Sequence, residues 1–335
     1  MSPTAVTAGL ADLRDSVNLW GPPPSARDMR RGLGHGRLAR YPGPGGGRLV
    51  PALARHLRVR EDEIAVGCGS DELIDSAFRL AGAGVELRYV TPTFSMVPVY
   101  AAANRLRGRP VQGRPDGEIE PGSLTPSPGG AVYLCSPNNP TGALLPLRVV
   151  DTVLARAPAG SLVIIDAAYA DFTDQPDWFD EATRLEGCLV LRTFSKAWGL
   201  AGLRVGYAVG HANLIGRLNT MRGPYMVNAV AEEIVSRVIE RDAAWVQARA
   251  REAAENRDRL IARLVAMGHA PWPSHANFVL VPVPDAMAAA SRLLRHGVAV
   301  RPFSALPGVG DAIRIGVGPW PLLERCLAGL SGLRP

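Results

Sequence analysis

The sequence has 335 residues and is almost without lysine: of its 37 lysine and arginine residues, only Lys196 is a lysine. A surface charge, an ion pair or a phosphate contact accepts arginine as readily as lysine. A Schiff base requires a primary amine, which a permanently protonated guanidinium cannot supply. Lys196 is therefore a candidate for covalent chemistry, and a compositional bias against lysine is the alternative explanation.

Cysteine is also scarce. The four cysteines lie far apart and form no CxxC pair, and the six histidines show no metal-ligand spacing. This pattern favours small core residues in a reducing compartment over disulfides or a zinc site. We therefore expect no metal and a cytoplasmic location for a chain whose cysteines are Cys68, Cys135, Cys188 and Cys326.

Long runs of one character are missing as well. No stretch of about 18 apolar residues occurs, and the N-terminus has no basic start followed by an apolar segment, so we expect neither a membrane span nor a signal peptide. The net charge is +6, yet the arginines alternate with acids, as in Arg257-Asp258-Arg259. Such dispersal favours a mixed solvated surface over nucleic-acid binding.

Strand-like and helix-like segments alternate along most of the chain. This alternation predicts an α/β domain with a mainly parallel sheet that helices cover on both faces. The predicted strands are 64–67, 86–90, 131–135, 162–165, 188–191 and 205–209, and the predicted helices are 71–80, 97–104 and 147–156.

The pattern changes after residue 225. Residues 230–267 lack an internal proline and are helical in composition, which predicts a long helix or a helix pair. Residues 277–330 predict β-α-β-β-α, with one strand over 298–301, and we interpret them as a smaller α+β domain. We expect an N-terminal arm at 1–30 that joins the small domain or a partner subunit, a large domain at 31–250 and a small domain at 251–335.

Chemically suggestive side chains follow four of the predicted strands. Because ligands of an open α/β sheet bind beyond the carboxyl ends of its strands, we expect these side chains to meet. A carboxylate there is costly unless it has a partner or a function, and a helix N-terminus attracts anions. Together they offer an amine, an acid, a phenol, an amide and a phosphate cradle with an arginine, which are the groups that pyridoxal phosphate requires. They are Ser70, Asp71, Asn139, Asp166, Tyr169, Ser195, Lys196 and Arg204.

The motifs that contain these residues occur in the order of a known family. The chain resembles the fold-type I, class I/II pyridoxal-phosphate aminotransferases over about residues 15–330. It is most similar to the histidinol-phosphate aminotransferase branch and its near relative, threonine-phosphate decarboxylase. The matching motifs are Arg40-Tyr-Pro42, Gly69-Ser-Asp71, Ser136-Pro-Asn-Asn-Pro-Thr-Gly142, Asp166-Ala-Ala-Tyr169, Ser195-Lys-Ala-Trp-Gly-Leu-Ala-Gly-Leu-Arg204, Ala276-Asn-Phe278 and Ile313-Arg-Ile-Gly-Val-Gly318.

The resemblance implies a role for each of these residues. Lys196 corresponds to the lysine that forms the Schiff base and transfers a proton between two carbons. Asp166 corresponds to the acid that holds the pyridine nitrogen. The other implied cofactor contacts are Asn139 and Tyr169 at O3′, Phe94 on the ring, and Ser70, Asp71, Ser195 and Arg204 at the phosphate.

The resemblance also implies how the substrate and a second subunit meet the site. Arg314 corresponds to the arginine that binds the substrate carboxylate, and Arg301 to one that meets a substrate phosphate; Asn139 also faces the substrate. Tyr41 corresponds to a tyrosine that reaches the cofactor of the neighbouring subunit, which implies a homodimer with shared sites. The small-molecule partners implied are an amino donor and a 2-oxo acid acceptor.

Four positions depart from the family pattern. Ala167 stands where glutamate is frequent, and Phe94 lacks the hydroxyl of some relatives. Trp198 adds bulk two residues after the lysine. Trp20 lies in Asn18-Leu-Trp-Gly21, where relatives carry Asn-Pro-x-Gly, and we expect it to reshape the substrate pocket.

Of three possible functions, two are compatible with this reading. The leading hypothesis is amino-group transfer from an amino acid or an amino phosphate. The alternative is a lyase on the same scaffold, such as a decarboxylase, because the bond held perpendicular to the ring decides the reaction. A transcriptional sensor requires an appended DNA-binding domain, for which the proline-rich first 30 residues are too short.

Overall fold

The computed structural model describes residues 9–27 and 39–331. A seven-stranded sheet with the order β2-β8-β7-β6-β5-β3-β4 forms its centre. The strands β3 to β7 run parallel, and β8 is antiparallel to both β2 and β7. They are β2 Ile64–Gly67, β3 Glu86–Thr91, β4 Arg107–Gln112, β5 Ala131–Cys135, β6 Leu162–Asp166, β7 Cys188–Thr193 and β8 Gly206–Val209.

Helices pack on both faces of this sheet, as the alternation predicts. Every residue of β5 and β6 is buried, because interior parallel strands are covered on both sides and therefore read as continuous apolar runs. The helices of this part are α1 Pro24–Arg27, α2 Leu49–Leu57, α3 Gly69–Ala81, α4 Met96–Ala103, α5 Pro121–Leu124, α6 Leu147–Arg156, α7 Phe179–Arg184 and α8 Ala212–Thr220.

The predicted helix pair is present as α9 Ala229–Arg241 and α10 Ala243–Ala266. Beyond it, the antiparallel sheet β11-β12-β9 carries the two remaining helices. These elements are β9 Phe278–Pro282, α11 Ala286–Arg295, β10 Val298–Ala299, β11 Arg301–Leu306, β12 Gly310–Gly316 and α12 Trp320–Leu330. The proposed limit at residue 250 falls within α10, so the domain boundaries stay a prediction.

The strand predicted over 298–301 is wrong as one element. Residues 298–299 form β10, which pairs in parallel with β1, Ala11–Asp12, whereas β11 starts at Arg301 and pairs with β12. The chain changes sheets at Val300, because the N-terminal segment supplies a second pairing partner. That partner is distant in sequence, so a local pattern cannot reveal it.

Strand β4 was missing from the predicted strands. Its sequence, Arg-Gly-Arg-Pro-Val-Gln, is mostly exposed and forms one edge of the large sheet. An edge strand tolerates proline and charge because the backbone N–H groups on its open side pair with no adjacent strand. It therefore lacks the apolar signal of the interior strands.

Candidate active site

The carboxyl ends of β2, β5, β6 and β7 meet at one edge of the large sheet and border a cleft of ≈ 550 Å³. The cleft also receives side chains from the small sheet and from the N-terminal segment. Eleven of the residues expected at the site line it: Ser70, Asp71, Phe94, Asn139, Asp166, Tyr169, Ser195, Lys196, Arg204, Arg301 and Arg314.

Lys196 lies in the wall of this cleft, shortly after β7. Its Nζ donates a hydrogen bond of 3.2 Å to the backbone oxygen of Asp15 and lies 5.4 Å from the centre of the Tyr169 ring. Burial, and then the positive charge of Arg314, lower the pKa of Lys196 to about 8. The amine therefore loses its proton far more readily than an ordinary lysine, as a nucleophile requires.

Asp166 ends β6 and is 4% exposed. Its Oδ1 accepts a hydrogen bond of 3.1 Å from the backbone N–H of Ala168, and its Oδ2 accepts one from the hydroxyl of Tyr133. Burial raises the pKa of Asp166 to about 6, and the Tyr133 hydrogen bond opposes this rise. Within residues 9–27 and 39–331, no cationic side chain forms an ion pair with this carboxylate.

The start of α3 and Arg204 form an anion-binding corner. Arg204 donates to Ser195 Oγ at 3.4 Å and to Asp71 Oδ2 at 3.2 Å. Gly69 begins α3 with φ +77°, and a Cβ added to it would lie 2.5 Å from Arg204 Nη2. A side chain at this position would therefore require Arg204 to move away from the helix N-terminus.

Arg314 and Arg301 bring two cations to the opposite side of the cleft, on neighbouring strands. Arg314 is 6% exposed; it donates to Asn139 Oδ1 at 2.5 Å and to the Arg14 carbonyl at 2.8 Å, while its buried Nε has no partner. Burial lowers the pKa of Arg314. Arg301 forms an ion pair with Asp15, and both side chains are substantially exposed. This end of the cleft can therefore bind anions.

Two aromatic residues expected at the cofactor, Tyr169 and Phe94, both line the cleft. Tyr169 is buried and packs edge-to-face on Phe278, with 5.1 Å between the ring centres. Burial raises the pKa of Tyr169, so its hydroxyl stays protonated and can donate. Phe94 is partly buried at the cleft wall.

Two predicted site residues do not line this cleft. Tyr41 is 82% exposed and stacks on Tyr225, with ring centres 4.7 Å apart. Trp20 lies away from the cleft, and its indole N–H donates to Glu252 Oε1 on α10 at 3.0 Å. Among the described residues Trp20 does not line the cleft, so the expectation that it reshapes the pocket stays a prediction.

Three further expectations have a structural outcome. Ala167 is fully buried, and Trp198 is buried against Phe194, with 5.2 Å between the ring centres; neither side chain lines the cleft. The four cysteines are free, and three are buried, but Cys68 is exposed, so the interpretation of all four as core residues is wrong there. Cys68 precedes α3 in the turn after β2, where its side chain faces outward.

Two residues that form hydrogen bonds or ion pairs with the expected site residues were not predicted: Tyr133, which lies behind Asp166 and does not line the cleft, and Asp15, which does line it. Tyr133 sits inside an apolar strand, where an aromatic residue reads as core, and no sequence signal separates its hydroxyl from its ring. Asp15 belongs to the proline-rich start, whose path across the cleft depends on pairing with β10. The structure thus adds a donor to Asp166 and a carboxylate to Arg301.

The residues present fit pyridoxal phosphate. Asp166 is a buried carboxylate that lacks an ion-pair partner in the described part of the chain, which suits a protonated ring nitrogen. The corner at Gly69 and Arg204 suits a phosphate, and Lys196 offers the amine. In contrast, the described residues include no group of three or more His, Cys, Asp or Glu that could hold a metal ion. None of the helices within 9–27 and 39–331 is long and apolar enough to span a membrane.

Comparison with known proteins agrees with this geometry. The family model described as aminotransferase class I and II matches residues 12–328. The chain is 33% identical to a histidinol-phosphate aminotransferase from Pseudomonas putida, over 97% of this chain and 93% of the relative. It is 34% identical to a histidinol-phosphate aminotransferase from a Thermoanaerobacter species, over 88% of this chain and 84% of the relative.

A solved structure shares the fold over nearly the whole chain. The histidinol-phosphate aminotransferase of Sinorhizobium meliloti, solved with pyridoxal 5′-phosphate, matches with a TM-score of 0.86 at 24% identity. The match covers 97% of this chain and 90% of that protein. At this identity, the likeness establishes the fold.

Proposed function

This chain belongs to the class I and II aminotransferases, enzymes that use pyridoxal phosphate to move an amino group from an amino donor to an oxo acceptor, and we propose that its donor is an amino phosphate of the histidinol-phosphate type. The pair of arginines on neighbouring strands, Arg314 and Arg301, carries this proposal. The names of the relatives support the same donor.

We propose the following roles for the residues that hold the cofactor. Ser70, Ser195 and Arg204 bind its phosphate, and Asp166 holds the pyridine nitrogen. Tyr169 and Asn139 donate to O3′, and Phe94 packs on the ring. When bound, pyridoxal phosphate supplies an electron sink that stabilises negative charge at the substrate carbon next to nitrogen.

Lys196 is the proposed catalytic base. Its pKa of about 8 leaves a sizeable neutral fraction near neutral pH, so the amine can accept the proton of the substrate Cα and deliver it elsewhere. The Tyr169 ring, 5.4 Å from Nζ, limits the positions that this amine can reach.

The two arginines bind different anionic groups of the substrates in this proposal. Arg314 is buried and has an unused Nε, so it suits the carboxylate of an amino acid or a 2-oxo acid. Arg301 also lines the cleft and is more exposed, so it suits the phosphate of a longer donor. Both contacts are proposals about this chain.

We also propose a homodimer in which Tyr41 completes the partner's site. Its 82% exposed ring contacts no residue of its own cleft, which supports a role beyond its own chain. The free thiols, three of them buried, support a reducing compartment, and we propose a cytoplasmic location.

The test is a product analysis of purified enzyme with histidinol phosphate and 2-oxoglutarate. We expect glutamate and the keto product of the phosphate donor, identified by mass. Arg301→Gln should raise the KM for histidinol phosphate more than the KM for glutamate in the reverse direction. Release of CO2 from an amino acid phosphate without a keto product would instead identify a lyase.

A further inference from the structure

The hydroxyl of Tyr133 donates to the carboxylate of Asp166 and lies beside the thiol of Cys135. The Tyr133 ring is fully buried within β5 and packs edge-to-face on Phe78 of α3, with 6.2 Å between the ring centres. Phenylalanine would fill this space without a polar atom to satisfy. Only the hydroxyl needs a partner, and the side chain that accepts from it is Asp166.

The direction of this hydrogen bond is set by the surroundings. Burial, and then the charge of Asp166, raise the pKa of Tyr133 well above its usual value, so the phenol keeps its proton and donates. The register places Cys135 opposite Asp166, and Tyr133 lies two residues earlier on the same face of β5. Strand pairing therefore fixes the donor beside the carboxylate.

We propose that Tyr133 is a positioning residue for the cofactor, which acts by holding the Asp166 carboxylate ionised and aimed into the cleft. This inference rests on the proposed role of Asp166 at the pyridine nitrogen. Ala168 N–H fixes one carboxylate oxygen and Tyr133 fixes the other, so the carboxylate cannot rotate away from the cleft. Tyr133 itself does not line the cleft, so its effect must pass through Asp166.

Binding of pyridoxamine 5′-phosphate to the enzyme freed of cofactor measures this effect without turnover. We expect Tyr133→Phe to weaken this binding by about tenfold to a hundredfold, because a hydrogen bond to a charged group is lost. Binding of inorganic phosphate, which needs only the corner at Arg204, should be unchanged. Tyr207→Phe is the matched control, since Tyr207 is a buried tyrosine of β8 in the same sheet and should leave both affinities as they are.

A double-mutant cycle separates positioning from mere packing. In an Asp166→Asn background, Tyr133→Phe should cause no further loss of affinity, because its target is already neutral. An equal loss in both backgrounds would overturn the inference and leave a structural role. Thermal unfolding of each variant identifies any that fails to fold. If Tyr133→Phe does not fold, 3-fluorotyrosine at position 133 replaces it, because this residue keeps the ring and alters only the acidity of the hydroxyl. The inference then requires a changed affinity for pyridoxamine phosphate, and an unchanged affinity contradicts it.

The pH profile gives a second readout. The groups around the carboxylate are Tyr133 and Cys135 from β5, Asp71 from α3 and Lys196 from the segment after β7. Removal of the Tyr133 hydroxyl raises the pKa of Asp166, so affinity for pyridoxamine phosphate should fall at a higher pH as the solution is acidified. An unshifted profile contradicts the inference. If the unmutated enzyme bound no pyridoxamine phosphate, the proposed function itself would fail.

Discussion

At the scale of single residues, Lys196 offers an unusually clean measurement, because the chain has no other lysine. Its pKa of about 8 predicts that modification of the amine by trinitrobenzenesulfonate in the cofactor-free enzyme accelerates through about pH 8, as the neutral form appears. Arg314→Gln removes a positive charge and should move this midpoint upward. Arg217→Gln, at an exposed position of α8, is the control. Mass mapping distinguishes modification of Lys196 from modification of the terminal amine. If the midpoint of the pH dependence did not move in Arg314→Gln, the proposed electrostatic effect of Arg314 on Lys196 would be wrong.

The missing side chain of Gly69 leaves room for the guanidinium of Arg204 at the start of α3. Gly69→Ala should weaken retention of pyridoxal phosphate, because its Cβ would lie 2.5 Å from Arg204 Nη2. Gly82→Ala is a matched control: Gly82 also has a positive φ, but nothing lies within 4 Å of its added Cβ. Both variants should lose stability, by about 1–3 kcal/mol, because alanine is strained at these positive φ angles. If thermal melts and cofactor titrations showed equal losses of retention in both variants, the close approach to Arg204 would be irrelevant.

Among the elements, the N-terminal strap (residues 9–20) shows how backbone groups complete a site. The backbone carbonyls of Arg14 and Asp15 accept hydrogen bonds from Arg314 and Lys196. At Leu13, the backbone N–H donates to the Ala299 carbonyl and the carbonyl accepts from the Gly316 N–H. The strap thereby connects the small sheet to the side chains that line the cleft. Its composition predicted an arm but not this path, because pairing partners about 290 residues away leave no local pattern.

The ion pair between Asp15 of the strap and Arg301 should lower the affinity for a phosphate-containing donor. Asp15→Asn removes the ion pair that occupies Arg301, so the KM for histidinol phosphate should fall by about twofold to fivefold, as expected for an exposed pair. The KM for glutamate should not change. Asp62→Asn is the control, because Asp62 also forms an exposed ion pair, with Arg60, but does not line the cleft. Steady-state kinetics at low and high salt provide the measurement, and an unchanged KM for the phosphate donor would exclude competition by Asp15.

For the whole molecule, the interior of the fold could be predicted and its periphery could not. Strands β5 and β6 are buried throughout, Asp166 ends β6 and Asn139 follows β5, so alternation together with the side chains after each strand predicted most of the candidate site. Strand β4 was not predicted because an exposed edge strand carries no such apolar signal. Tyr133 was missed for a different reason: burial explains its ring, and only the register of β5 against β6 reveals its hydroxyl as a partner of Asp166.

The shared site is a prediction about the assembled dimer. Tyr41 is exposed in its own chain, and Lys196 lies within the cleft, so each active site should combine Lys196 of one subunit with Tyr41 of the other. Lys196→Arg and Tyr41→Ala should each be nearly inactive as homodimers. Mixed and allowed to exchange subunits, they should regain about a quarter of wild-type activity, because half the dimers are hybrids with one intact site. Mixing two Lys196→Arg preparations controls for recovery unrelated to exchange. If the mixture stayed inactive although native mass spectrometry detected hybrids, Tyr41 would act within its own subunit.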